Sequence, residues 1–183
     1  AITGAALAGV YPVGMKIAVG WGTKDRGLLV GLLVGALTLG SASPHLIALF
    51  GGADWRATVS ITSAAAALGA ALVLLVQLGP HHVRAPRFDP RMIAQAWTNR
   101  RVRLAYAGYL GHMWELYAFW AWCAAIAAAS FALTGLENPE SVARITAFIA
   151  IALGGLACIP LGLIADRIGK AKAAQAMMIG SGL

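Results

Sequence analysis

The sequence predicts an all-α protein, a polytopic bundle of helices that pass back and forth through a membrane. Composition is the first reason: of the 183 residues, 60% are hydrophobic and only 11% charged, where soluble domains run about 45–50% apolar and about 25% charged. The second is a set of long stretches with little or no charge, each able to cross about 30 Å of hydrocarbon as a helix of about 20 residues. The third is that the charges collect in the connections between those stretches.

The chain opens in an apolar Gly/Ala-rich run, which predicts a partial span over residues 1–20. Residues 27–53 and 57–83 carry no charge, 104–136 carry only Glu115, and 145–165 carry none. Complete spans are expected near 27–50, 55–79, 104–131 and 143–164, with another partial span at 172–183. Strands are not expected, because the runs lack period-2 alternation and lipid-exposed backbone must satisfy its own hydrogen bonds. With Ala rather than Met at position 1, no signal-peptide pattern, and apolar runs at both ends, the chain reads as a fragment cut inside two helices.

Local chemistry marks several boundaries. Asp54 can cap the helix entering at Trp55, since its side-chain oxygen can take free first-turn N–H groups. Asn138-Pro139-Glu140 reads as N-cap, first-turn proline and an acid suited to the helix dipole. After Asp89-Pro90, Met92, Ile93, Ala96 and Trp97 fall on one face, which predicts a short interfacial helix.

The net charge of +7 raises the question of nucleic acid, and its distribution answers with topology instead. The five connections (16–26, 51–56, 80–103, 132–144 and 166–172) carry +2, 0, +5, −1 and +2. Connections alternate sides, so one side collects twelve of the fourteen basic residues. The positive-inside rule makes that side cytoplasmic, in a plasma (inner) membrane. The arginines of 84–103 flank span ends, so no nucleic-acid partner is expected.

One run carries a family resemblance. Residues 162–172 read Gly162-Leu-Ile-Ala-Asp166-Arg167-Ile-Gly169-Lys170-Ala-Lys172 at a predicted span exit on the basic side. In a short loop between helices, Gly162 allows close helix approach and Gly169 a tight turn. Asp166 can cap a helix N-terminus, and the bases hold the cytoplasmic face. The run resembles the G-x-x-x-D-R-x-G-R/K motif of the major facilitator superfamily of transporters. Thr3-Gly4 through Tyr11-Pro12, then Trp21 through Asp25-Arg26-Gly27, Gly31, Gly35 and Gly40, is similar to that superfamily's spans 4 and 5. Two departures stand out. Ala171 occupies a position where a second base is common, and Gly40-Ser41 with Pro44 stands where many antiporters carry Gly-Pro, which points away from drug antiport.

The resemblance implies part of a twelve-helix fold, from late span 4 to early span 9. Residues 1–79 would end the N-terminal bundle, 80–103 would be the central cytoplasmic loop, and 104–183 would begin the C-terminal bundle, the remaining helices coming from the same chain. It also implies a gating role for Gly162, Asp166, Arg167, Gly169 and Lys170, with Asp166 meeting the first turn after Arg26-Gly27.

Glu115 is the one formally charged residue well inside a span, and His112 lies three residues earlier on the same face. Such a pair can relay a proton or bind a polar substrate group, since burial favours the neutral carboxyl and imidazole titrates near neutrality. A structural hydrogen bond to a neighbouring helix is the other reading. Tyr11, His45 and Trp122 are candidates to line a transport path, while Gly27, Gly31 and Gly35 have the spacing of close helix packing. Cys123 and Cys158 read as small buried apolar residues, and His81-His82, without further ligands, as a solvated pair rather than a metal site. There is no H-E-x-x-H, G-x-S-x-G or phosphate-loop pattern, so neither enzyme nor cofactor is expected. The expected function is secondary active transport of a small solute, coupled to protons or an ion gradient by alternating access. A membrane-embedded enzyme and a non-transporting sensor or scaffold are the alternatives.

Overall fold

A computed structural model describes residues 2–51, 55–84, 89 and 91–181. Among these residues the secondary structure is entirely helical: α1 (Ile2–Val19), α2 (Arg26–Gly51), α3 (Trp55–Val73), α4 (Arg91–Thr98), α5 (Arg100–Leu133), α6 (Pro139–Ile168) and α7 (Lys170–Ser181). Helices α2, α3, α5 and α6 are each long and apolar enough to cross a membrane.

The surface supports the same conclusion. An 18.9 kDa soluble monomer would expose roughly 8,300 Å², whereas this chain exposes 13708 Å². Large apolar side chains point outward, among them Trp114 at 82% and Leu133 at 90% exposure. The interior is made mostly of small residues: Ala42, Ala143 and Ala147 are buried, as are Gly31, Gly35 and Gly155, with Ile151 the larger side chain among them. Packing small residues inside and large ones outside fits a lipid solvent, where helix association comes from close backbone approach.

The central pairing is α2 against α6, running antiparallel, since Gly27 meets Gly162, Gly31 meets Cys158 and Gly35 meets Gly155. On α6 the buried positions Ala143, Ala147, Ile151 and Gly155 recur every four residues and form a single stripe. A Cβ at Gly35 would lie 2.6 Å from the Gly155 carbonyl oxygen, and backbone cannot yield as a flexible side chain can. Helices α5 and α7 flank α6, while α1 and α3 flank α2.

Several hydroxyls inside the spans bond to the backbone of their own helix. Thr38 donates to the Val34 carbonyl at 2.9 Å and Ser41 to that of Leu37 at 3.0 Å. Pro44, inside α2, cannot bond back to Gly40. The Ser43 hydroxyl takes that carbonyl instead, at 2.7 Å, so the Gly40 acceptor keeps a partner within the apolar span.

Several boundaries differ from expectation. The span expected over 55–79 ends as a helix at Val73. Beyond it, short-range bonds from Leu74, Leu75 and Val76 to the carbonyls three residues back make a tighter turn. The chain is drawn off the helix axis by the first connection: Trp21 Nε1 donates to the Gln77 carbonyl at 3.2 Å, His81 N to the Gly20 carbonyl at 2.9 Å, and Gly79 packs on the Gly20 backbone. Helix α5 starts at Arg100 rather than 104, because Asn99 accepts from Arg101 N at 3.0 Å and caps it there. Asn138 does occupy the N-cap of α6, yet with φ 57° and ψ 53° its side chain makes no capping bond. The first-turn N–H groups of Ser141 and Val142 bond its carbonyl instead. The Asp54 cap and Pro90 lie outside the described residues, as do the side chains of Ile93 and Ala96; Met92 and Trp97 on α4 are exposed.

Candidate functional site

Helix α2 begins with an unusual division of labour. Asp25 precedes Arg26, the first helical residue, and its carbonyl accepts the first intrahelical bond from Leu29 N at 3.1 Å. A capping residue ordinarily turns its side chain onto the first-turn amides. Here the Asp25 carboxylate turns back to Thr23 N at 3.1 Å, which leaves the amides of Gly27 and Leu28 to another acceptor. That acceptor is Asp166, near the end of α6. Its Oδ1 accepts from Gly27 N at 2.8 Å and its Oδ2 from Leu28 N at 3.1 Å. The carboxylate thus spans two orphan amides at the positive end of the α2 dipole.

Glycine makes this geometry possible. Any Cβ at Gly27 would collide with the Gly162 carbonyl oxygen and with the Asp166 carboxylate, and a Cβ at Gly162 would collide with the Gly27 backbone. Gly169 ends α6 at φ 94°, ψ 139°, a left-handed conformation that costs an L-residue strain. After it the chain re-enters helix at Lys170. Of the five residues expected to form the gate, Gly162, Asp166 and Gly169 therefore have defined structural work. Arg167 is exposed, and Lys170 borders a cavity of about 330 Å³ with Gly27, Gly31 and Gly162.

The opposite end of the same seam is also pinned. Arg144, in the second turn of α6, donates from Nη1 to the Ala48 carbonyl near the end of α2 at 3.4 Å, and its Nη2 lies 3.8 Å from Glu140 Oε2. A guanidinium at the negative end of α2 and a carboxylate at its positive end both complement the helix dipole. The sequence reading missed Arg144, whose position in the first turns of a span and opposite charge to Asp166 were the available signals.

The basic connections gather at one end. Gly27, just after the first, joins Asp166 of the fifth, and Gly20 of the first joins Gly79, just before the third, and His81 within it. Arg144 of the fourth meets Ala48 beside the second, at the other end.

The intramembrane pair is placed differently. His112 Nδ1 and Glu115 Oε2 are 3.9 Å apart on α5, and both side chains are about half exposed, at 49% and 48%. His112 lines a cavity of about 680 Å³ between α5, α6 and α7, with Tyr109, Ala157, Leu161 and Met177 in its walls. Tyr11 is half-buried on α1 and is not among the described residues that line this cavity. His45 is half-buried on α2 near Arg144, away from this cavity's walls. Trp122 is 64% exposed and faces a separate hollow of about 510 Å³ with Met113, Trp114 and Tyr117. The structure therefore groups His112 with Glu115 and leaves Tyr11, His45 and Trp122 outside the walls of that cavity.

Among the described residues no cluster of three His, Cys, Asp or Glu side chains is arranged to hold a metal ion. Comparison with protein-family models, with curated proteins and with solved structures gives no match for this chain.

Proposed function

We propose that this chain belongs to a secondary active transporter similar to the major facilitator superfamily, in which the α2–α6 seam opens and closes during alternating access. The observation that carries the reading is the Asp166 carboxylate on the α2 N-terminus. It joins the segment before the basic connection to the segment after it, at the end to which the alternation of connections in the sequence assigns twelve of the fourteen basic residues. In this reading α2 takes the place of span 5, α6 that of span 8, and the basic end faces the cytoplasm.

A gate needs bonds strong enough to hold one state and few enough to release. Two charge-assisted hydrogen bonds, partly exposed, fit that requirement, each contributing about 1.5–3 kcal/mol at most. The cavity beside His112 supplies a candidate path, with the His112–Glu115 pair as the proton-coupling group.

Proteoliposomes loaded with a pH-sensitive dye and offered panels of small organic anions, sugars and amino acids test the proposal. Solute-dependent proton movement that Asp166→Ala alters is the expected result. Proton movement indifferent to every solute, or solute flux unaffected by Asp166→Ala, contradicts it.

A further inference from the structure

The junction of α4 and α5 has features that the seam and the polar pair do not use. A single extended residue, Asn99 (φ −82°, ψ 111°), separates the two helices, so the chain turns there and forms a corner. Across it Arg103 donates from Nη1 to the Trp97 carbonyl at 3.2 Å. Among the described residues this is the one hydrogen bond of the guanidinium, which has five N–H donors, and it holds the group over the corner. Below it Trp97, Tyr106, Ala107, Tyr109 and Leu110 complete the wall of a groove of about 460 Å³. Trp97 is 74% exposed, Tyr106 55% and Leu110 67%.

We infer that this corner is a binding site for an anionic phospholipid, with the headgroup phosphate at Arg100 and Arg103 and an acyl chain along Trp97, Tyr106 and Leu110. Charge is the first argument: Arg100, Arg101 and Arg103 lie within four residues, and the connection contains one carboxylate, Asp89. Arginine's planar fork suits phosphate oxygens. Polarity is the second. Arg103 is the one charged residue among the groove's described lining and the rest of its wall is apolar or aromatic, with Arg100 one turn earlier on the same helix face. This matches a lipid and not a free phosphate or a nucleic acid, whose charge would run the length of the wall. Position is the third. Leu110 is ten residues beyond Arg100 on a membrane-length helix, about 15 Å along its axis, so the rim falls at headgroup depth when the apolar wall is in hydrocarbon. Tryptophan and tyrosine at that depth are typical of the interface. The inference needs α5 to cross a bilayer, and it does not depend on transport.

Trp97 provides the readout. The protein is reconstituted in bilayers of phosphatidylcholine containing either phosphatidylglycerol or phosphatidylcholine brominated near the glycerol, and the Trp97 signal is taken as the difference from Trp97→Phe. Quenching is expected to favour the anionic lipid, and each of Arg100→Gln and Arg103→Gln to reduce that preference roughly five-fold or less, toward unity in the double variant. Lys24→Gln, an exposed base of the first connection that does not line the groove, should leave it unchanged, and soluble glycerol phosphate should not compete. Equal quenching by both lipids in the unsubstituted protein overturns the site. So does an undiminished preference in the double variant, a loss in Lys24→Gln equal to that in Arg103→Gln, or displacement by glycerol phosphate or a short RNA.

Discussion

The Asp166 carboxylate caps a helix 139 residues earlier in the chain, with Gly27 N donating to Oδ1 at 2.8 Å. The two amides it satisfies would otherwise be orphans, because the adjacent Asp25 side chain is engaged with Thr23 N. Asp166→Ala is expected to cost about 1–2 kcal/mol, the range for losing a side-chain cap. Asp166→Asn keeps one acceptor oxygen and should cost less. Amide hydrogen exchange checks this directly: protection at Gly27 and Leu28 should fall in the Ala variant, with residues in the middle of α2 little changed.

The adjacent pair Gly154 and Gly155 offers an internally controlled test of the seam. A Cβ at Gly154 meets nothing within 4 Å, whereas one at Gly155 lies 3.0 Å from the Gly35 carbonyl oxygen and 3.2 Å from Thr38 Cβ. Gly154→Ala should be neutral or stabilise by up to about 1 kcal/mol, as alanine for glycine does in a helix interior. Gly155→Ala should destabilise by about 1–3 kcal/mol through overpacking. Thermal unfolding in detergent, paired with maleimide labelling of Cys158, separates them: faster labelling is expected only for Gly155→Ala.

Glu115 and His112 are close enough to interact but not to form a short ion pair, at 3.9 Å. If the pair couples transport to protons, Glu115→Gln should remove the pH dependence of solute uptake while leaving counterflow, which needs no net proton movement. Uptake that keeps its pH dependence in this variant rules out that role.

Much of this was legible in the residues themselves. Runs long enough for a bilayer crossing with at most one charge identify α2, α3, α5 and α6, because hydrophobic length is a one-dimensional property. The four-residue spacing of Gly27, Gly31 and Gly35 announces a close-packed face, and the run from Gly162 to Lys170 places a carboxylate where it can cap. What lies across the seam is not in that spacing. Gly154 and Gly155 are indistinguishable in sequence, and only the rotation of α6 decides that Gly155 faces α2. The early end of α3 at Val73 was hidden for a related reason. Nothing in Leu74–Leu78 breaks a helix; hydrogen bonds from Trp21 and to Gly20, far away in sequence, draw the chain aside. The exposure of Glu115 and Trp122 was equally out of reach, since an apolar helix with aromatic residues on every side has no periodic signal to say which side is covered.

In the proposed transporter the Asp166 clasp holds one of two arrangements of the α2–α6 seam. Pairs of spin labels at Lys24 and Lys172 for the basic end, and at Leu49 and Glu137 for the opposite end, allow electron–electron distance distributions to be recorded in bilayers. A dominant short distance is expected at the basic end, which Asp166→Ala shifts toward a longer population without a matching lengthening at the opposite end. Identical distributions with and without the Asp166 carboxylate would contradict it.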